Sequence, residues 1–319
     1  MNVFKKLLTT VDQFQRKHKF IGFPYAVIKK FGDDEAGYQA ALITYYGFLS
    51  LFPLLLVLTT VAGIIGRHHP ELGQRLVNSA SSYFPVLGQQ LDSSVKGLNK
   101  GGPALVIGIL FTLYGARGVA DAFRHTINHV WQIPKTKRSG FPWSLLRSLG
   151  IIVGGGGGLL ITAGLAGWAS AAGHGIVFRI DSLLINLVLL SLVFILVLKL
   201  SLPTHISIRQ LWVGASVTAI GLSILQVVGG YVVTHESHSL SNSYSALFAT
   251  TLGLLAWIYL QAQIFIYAIE IDAVRNFRLW PRSLAGKELT AQDRAVYRRQ
   301  ARKEQAVETE AIQAHFPKK

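Results

Sequence analysis

The chain predicts an all-α membrane protein that crosses the bilayer six times and keeps both termini in the cytoplasm. Six long apolar stretches, a lopsided distribution of basic residues between them, and the scarcity of ionisable groups inside them predict it. The stretches run Ala40 to Gly66, Pro103 to Ala122, Leu149 to Ala172, Leu183 to Leu202, Leu211 to Val233 and Ala246 to Ile271. Each reaches the roughly 20 residues that a helix needs to cross a hydrocarbon core about 30 Å thick. A soluble chain of this length would interleave amphipathic helices with its apolar ones.

Of the 31 Lys and Arg residues, 25 fall before the first stretch, in or at the edge of the alternate loops that share its side (Lys199, near the end of the fourth stretch, among them), or after Asp272; 5 fall on the other side, and Arg117 lies deeper inside a stretch. Basic residues accumulate on the cytoplasmic side of inserted helices, which sets the orientation. The formal net charge of +15 is therefore a topology signal. Its expected partners are membrane lipids, anionic headgroups on the cytoplasmic face, where a basic residue gains about 1 kcal/mol; nucleic acid is not expected. The absence of cysteine excludes disulfides, thiolate metal sites and Cys-based catalysis.

Three regions follow. Residues 1–38 form a cytoplasmic segment in which Val3, Phe4, Leu7, Leu8, Val11 and Phe14 recur at helical spacing beside Lys5, Lys6, Arg16, Lys17 and Lys19, the pattern of an amphipathic helix lying on the inner leaflet. No cleavable signal is recognisable there, so the first stretch is expected to serve as an uncleaved insertion signal. Residues 39–273 form the six-helix transmembrane domain, with a short external helical hairpin between helices 1 and 2, where Leu72, Leu76 and Val77 precede Pro85 and Leu87, Leu91, Val95 and Leu98 follow it. Residues 274–319 form a basic, mixed-charge cytoplasmic tail, either a solvated helix or disordered.

Within the third stretch, Gly154, Gly158, Thr162, Ala166 and Ser170 recur at every fourth position. Small residues in that register let two membrane helices approach closely. The fifth stretch, with Gly214 and Thr218, is the expected partner; a glycine hinge and a homo-oligomer contact are the other uses of such a stripe. In the first stretch Pro53 removes a backbone donor, so a kink is expected near Ser50, with Tyr45 and, from the last stretch, Gln261 lining a cavity.

Ionisable residues inside a bilayer are costly and mark either a function or a paired structural site. Arg117 and Asp121 share a helix face at i, i+4, His125 continues that face, Asn128 lies close, and Glu270 ends the last stretch where Arg117 or Arg124 is within its expected reach. These five residues are the candidate polar or transport site. They either fix helix register as an internal salt bridge or hold a substrate or a proton. No catalytic constellation, metal-ligand frame or phosphate-binding loop is recognisable, and neither a cofactor nor an enzymatic activity is expected.

Three ordered segments carry a family resemblance. Ala40 to Leu55, with Tyr45, Ser50 and Pro53, resembles the opening signature of the YihY/BrkB family of bacterial inner-membrane proteins. Gly115 to Trp131, ending Asn128-x-x-Trp131, is similar to the family's second-helix motif, and Leu254 to Leu260 leading to Glu270 looks like its last-helix signature. Ser245 stands where a glycine commonly follows the tyrosine, and Ala268-Ile269 replace the usual Gly-Ala before Glu270. The resemblance implies a six-helix protein of the bacterial inner membrane. Members have been labelled ribonucleases, linked to serum resistance and proposed to move lipid. Transport or flipping of a lipid or other amphipathic anionic envelope component is the leading expectation, ahead of a non-transporting envelope scaffold and of a ribonuclease.

Overall fold

The computed structural model describes residues 3–66, 71, 103–159, 161–162, 176–203, 205–236, 243–284 and 289–316. The external hairpin expected between residues 67 and 102, together with Ala166 and Ser170, lies outside them. Among the described residues the architecture is helical: α1 (Val3–Lys17), α2 (Lys19–Asp33), α3 (Ala36–Gly66), α4 (Pro103–Val130), α5 (Trp143–Ile151), α6 (Ile176–Ser201), α7 (Ile208–Glu236), α8 (Ser243–Phe277) and α9 (Ala291–Lys303).

Local backbone choices set several boundaries. His18 in an extended conformation separates α1 from α2. Glu35, Gln132 and Arg278 take the left-handed conformation after α2, α4 and α8. After Gln132 the Ile133 amide returns to the Asn128 carbonyl at 2.9 Å, and after Arg278 the Leu279 amide returns to Val274 at 3.0 Å. These bonds close the last helical turns as a C-terminal glycine commonly does.

α3 packs along α4 and α8, while α7 lies between α6 and α8. The buried centre comprises Ile127 of α4 and Trp131 just after it, Leu190 and Leu198 of α6, Leu211 of α7, and Phe265, Ile266 and Ile269 of α8. Phe123 meets the edge of Phe265 with ring centroids 4.8 Å apart. Large apolar residues also cover the outside: Leu184, Val188 and Leu192 on α6, and Ile220, Ile224 and Val227 on α7 are exposed. Water would disfavour such a surface, whereas lipid tails match it. Three helices, Leu183–Ser201, Ile208–Gly229 and Thr251–Phe277, are long and apolar enough to cross a membrane among the described residues.

The glycine stripe has a different neighbour from the one expected. α5 continues through a wider π turn, Ile152–Gly156, and packs on α6. A Cβ on Gly154 would lie 2.6 Å from Leu196, one on Gly155 3.2 Å from Val197 and one on Gly158 2.4 Å from Val193. The fourth apolar stretch is thus the partner, because it follows the third directly and returns beside it. Gly214 instead meets α8, where a Cβ would stand 2.8 Å from the Ala268 carbonyl oxygen. Thr162 is buried and donates to the Leu159 carbonyl at 2.9 Å. α3 runs through Pro53 without interruption.

Candidate functional site

Small residues bring α3 and α4 together. A Cβ at Gly115 would lie 2.9 Å from Ser50 Cβ, and one at Gly118 2.5 Å from the Tyr46 ring. Beside this crossing opens a cleft of about 490 Å³ lined by Tyr46, Tyr114, Arg117, Asp121 and His125, with Leu42 and Ala122 also contributing. Arg117, Asp121 and His125 share the α4 face that their spacing predicts.

Asp121 is anchored from the other side. Ser148 Oγ of α5 donates to its Oδ1 at 2.6 Å and Arg124 donates at 3.2 Å. Arg124 also donates to the Ser144 carbonyl at 2.8 Å and to Ser148 Oγ at 2.9 Å. With the carboxylate so held, Arg117 reaches it only at 3.6 Å, and the Arg117 side chain remains 58% exposed. A guanidinium presents a planar fork of donors suited to phosphate or carboxylate. Burial, then the positive charges of Arg138, Lys303 and Lys135, push the His125 pKa below its ordinary value, so its ring is neutral near neutral pH.

Asn128 and Glu270 stand apart from this cleft. Asn128 donates to the Arg124 carbonyl at 2.7 Å and to the Ser201 carbonyl at 3.0 Å, joining α4 to the end of α6. Glu270 meets neither Arg117 nor Arg124: Lys30 of α2 donates to its Oε2 at 2.7 Å. Lys30 also donates to Asp34 and, at 2.8 Å, to the Val130 carbonyl, so all three ammonium protons are used. Burial alone would lower the Lys30 pKa, but Glu270 and Asp34 outweigh it and the value is raised. Tyr45 is exposed, with its ring edge against Tyr46. Ser50 donates to the Gly47 carbonyl at 2.9 Å and serves the α3–α4 crossing. Gln261 is half-buried on α8. Neither Tyr45, Ser50 nor Gln261 lines the cleft.

A further network joins both chain ends to this framework. Arg282 donates to Asp293 and to Asp33, each at 2.6 Å, and Lys29 pairs with Asp293 at 3.0 Å. Asp293 also closes a reciprocal capping box with Thr290 at the start of α9. Burial opposes ionisation, but the hydrogen bonds from Arg282, Ser283, Lys29 and Thr290 prevail and hold the Asp293 carboxyl well below the usual carboxylate range. On α1, Asp12 accepts from the Leu284 amide at 2.8 Å and Gln15 donates to the Arg282 carbonyl at 2.6 Å. Farther along α9, Gln300 donates to the Asp33 carbonyl at 2.9 Å, and Lys303 Nζ lies 3.1 Å from His129 Nε2. Part of the expected solvated tail is therefore a docked helix, because its carboxylate and amide groups find partners on α2.

Sequence reasoning missed Lys30, Asp34, Arg282 and Asp293. The i, i+4 spacing of Lys30 and Asp34 was the available signal, but it is shared by many exposed pairs.

The family model described as Virulence factor BrkB matches residues 27–292. Inner membrane protein YhjD of Escherichia coli (strain K12) is 24% identical over 297 residues, which cover 86% of this chain and 86% of YhjD. An uncharacterized protein of Dickeya dadantii (strain 3937) is 28% identical over 267 residues, 75% of this chain and 78% of its own. No solved structure matches.

Proposed function

The chain belongs to the virulence factor BrkB family, and we propose from that premise that it is a non-enzymatic, multi-pass bacterial inner-membrane protein that moves an amphipathic anionic lipid between leaflets. The observation that carries the reading is Arg117: a half-exposed guanidinium in an open cleft within the second apolar stretch, held only loosely by Asp121. A charge at such a position is costly unless it has a use. Arg117 takes the anionic headgroup, Tyr46 and Tyr114 flank it, and the acyl chains stay in lipid along the exposed apolar surface. Neutral His125 adds a hydrogen-bonding group without a second charge.

Six spans with both termini cytoplasmic accommodate this role. In that proposed topology the first three apolar stretches of the sequence are the crossings beyond the three helices named above. Support for the cytoplasmic seat comes from α1, whose Asp12 and Gln15 are buried against the protein while Val11 and Phe14 are exposed. An apolar face turned outward beside Lys17 and Lys19 suits the anionic inner leaflet.

Purified protein in liposomes carrying a headgroup-labelled anionic phospholipid tests the reading. Chemical quenching from outside is expected to reach inner-leaflet label in protein-loaded vesicles, and Arg117→Gln is expected to slow that access strongly while the protein level stays unchanged. Equal quenching in empty and loaded vesicles would refute lipid movement. The Asp121–Arg124–Ser148 network favours a second reading, a non-transporting scaffold in which these groups only pin α4 to α5. Absence of protein-dependent flux together with earlier unfolding of Ser148→Ala would favour that scaffold, whereas undiminished flux in Arg117→Gln would remove Arg117 as the headgroup site.

A further inference from the structure

α8 carries a second buried carboxylate that takes no part in the networks above. Asp272 follows Glu270 by two residues, so its side chain leaves the other side of the helix, toward α7 rather than toward Lys30. The side chain has no exposed surface, and neither carboxyl oxygen has a hydrogen-bond partner. α7 approaches it through Gly214, where a Cβ would stand 2.4 Å from Asp272 Oδ2 and 2.8 Å from the Ala268 carbonyl oxygen. The Gly214 amide lies next to the carboxyl but outside hydrogen-bonding geometry.

Among the described residues, the charged groups around it are few. Arg275, one turn later on α8, is 3.5 Å from Oδ1 and one-third exposed. Its guanidinium is also committed to the Arg209 and Gln210 carbonyls of α7 at 3.3 and 3.2 Å. Arg209 itself is exposed, and Lys30 of α2 is engaged with Asp34 and with Glu270 on the far side of α8. An ionised carboxylate in this seam has lost its water and gained one long ion pair and a poorly aligned Gly214 amide, which together do not offset several kcal/mol of desolvation. A neutral carboxyl instead has an O–H to donate, and the Ala268 carbonyl oxygen is beside it.

We propose that Asp272 is the site of an exchangeable proton, neutral in the arrangement described, and that its ionisation opens the Gly214 seam between α7 and α8. The proton leaves to, and returns from, water at the cytoplasmic end of the seam. Ionisation demands solvation, and water reaches the carboxylate only when the two helices separate. Each opening would then accompany one step of substrate movement. That coupling rests on the lipid-movement reading; the proton site does not.

Infrared spectroscopy of the full chain in liposomes, titrated with pH, is expected to reveal a protonated-carboxyl C=O band that is lost in Asp272→Asn and shifted in Gly214→Ala. Asp272→Asn, which keeps the shape of the neutral acid, is expected to unfold no earlier than wild type. Equal destabilisation by Asp272→Asn and Arg275→Gln would show a structural ion pair and overturn the proposal, as would a band that survives in Asp272→Asn. In the quenching assay, wild-type flux is expected to respond to an imposed pH gradient and Asp272→Asn flux to lose that response. A pH response retained by Asp272→Asn would overturn the coupling. Absence of any protein-dependent flux would remove the lipid-movement reading while the infrared result still decides the proton site.

Discussion

Lys30 Nζ lies 2.7 Å from Glu270 Oε2 with neither side chain exposed, tying α2 to α8. Removing the cation leaves two buried carboxylates without their partner. Lys30→Met is expected to cost about 3–5 kcal/mol, the range for breaking a buried pair from one side. Glu270→Gln should cost less, since Lys30 keeps Asp34 and the Val130 carbonyl. Thermal unfolding of the purified variants in detergent measures both, and a Lys30→Met protein as stable as wild type would remove the ion pair's structural role.

Asp293 holds α9 to α2 through Arg282 and Lys29. Asp293→Ala leaves the fully buried Arg282 with Asp33 as its remaining carboxylate and removes the α9 capping box. α9 is expected to detach and unwind, opening the backbone beside the already exposed Arg294 and Arg298 to trypsin, with a loss of about 3 kcal/mol or more. Unchanged cleavage kinetics would show that α9 is held by other contacts.

Burial, then the neighbouring Lys303, lowers the His129 pKa from 6.5 to about 4; this residue lies beyond the second apolar stretch. The unfolded chain therefore takes up this proton at higher pH than the folded one. The stability that neutral His129 contributes is fully present above about pH 6.5 and is lost as the pH falls from there toward about 4. Amide exchange of α9 should accelerate across that window, and His129→Gln should flatten the response. Exchange that stays level in the wild type would contradict this contribution.

Neighbouring glycines in one run should behave oppositely. Gly158→Val is expected to destabilise by about 1–3 kcal/mol, because even its Cβ would meet Val193 of α6 at 2.4 Å. Gly157→Ala meets nothing within 4 Å and should be neutral or slightly stabilising, by up to about 1 kcal/mol. Thermal unfolding of the two variants separates close packing from a general need for flexibility, since a hinge would suffer from both.

Arg117 and Asp121 were legible as a pair because one helical turn alone brings them together. Glu270 was legible as costly, but its partner was not. Lys30 lies 240 positions away, and at that separation linear spacing carries no geometric information. The ends of α2, α4 and α8 were hidden for another reason: Glu35, Gln132 and Arg278 occupy left-handed positions where glycine is the usual marker.

By itself the sequence determined the helical character, the apolar surface, the charge asymmetry and the family, because each follows from local composition and from motifs read in order. The tertiary structure decided that the glycine stripe meets α6, that Glu270 answers Lys30, that Asp272 faces Gly214 and that α9 docks through Asp293. Those outcomes depend on which helices lie side by side, and a buried charge takes its partner from whatever neighbour the packing supplies.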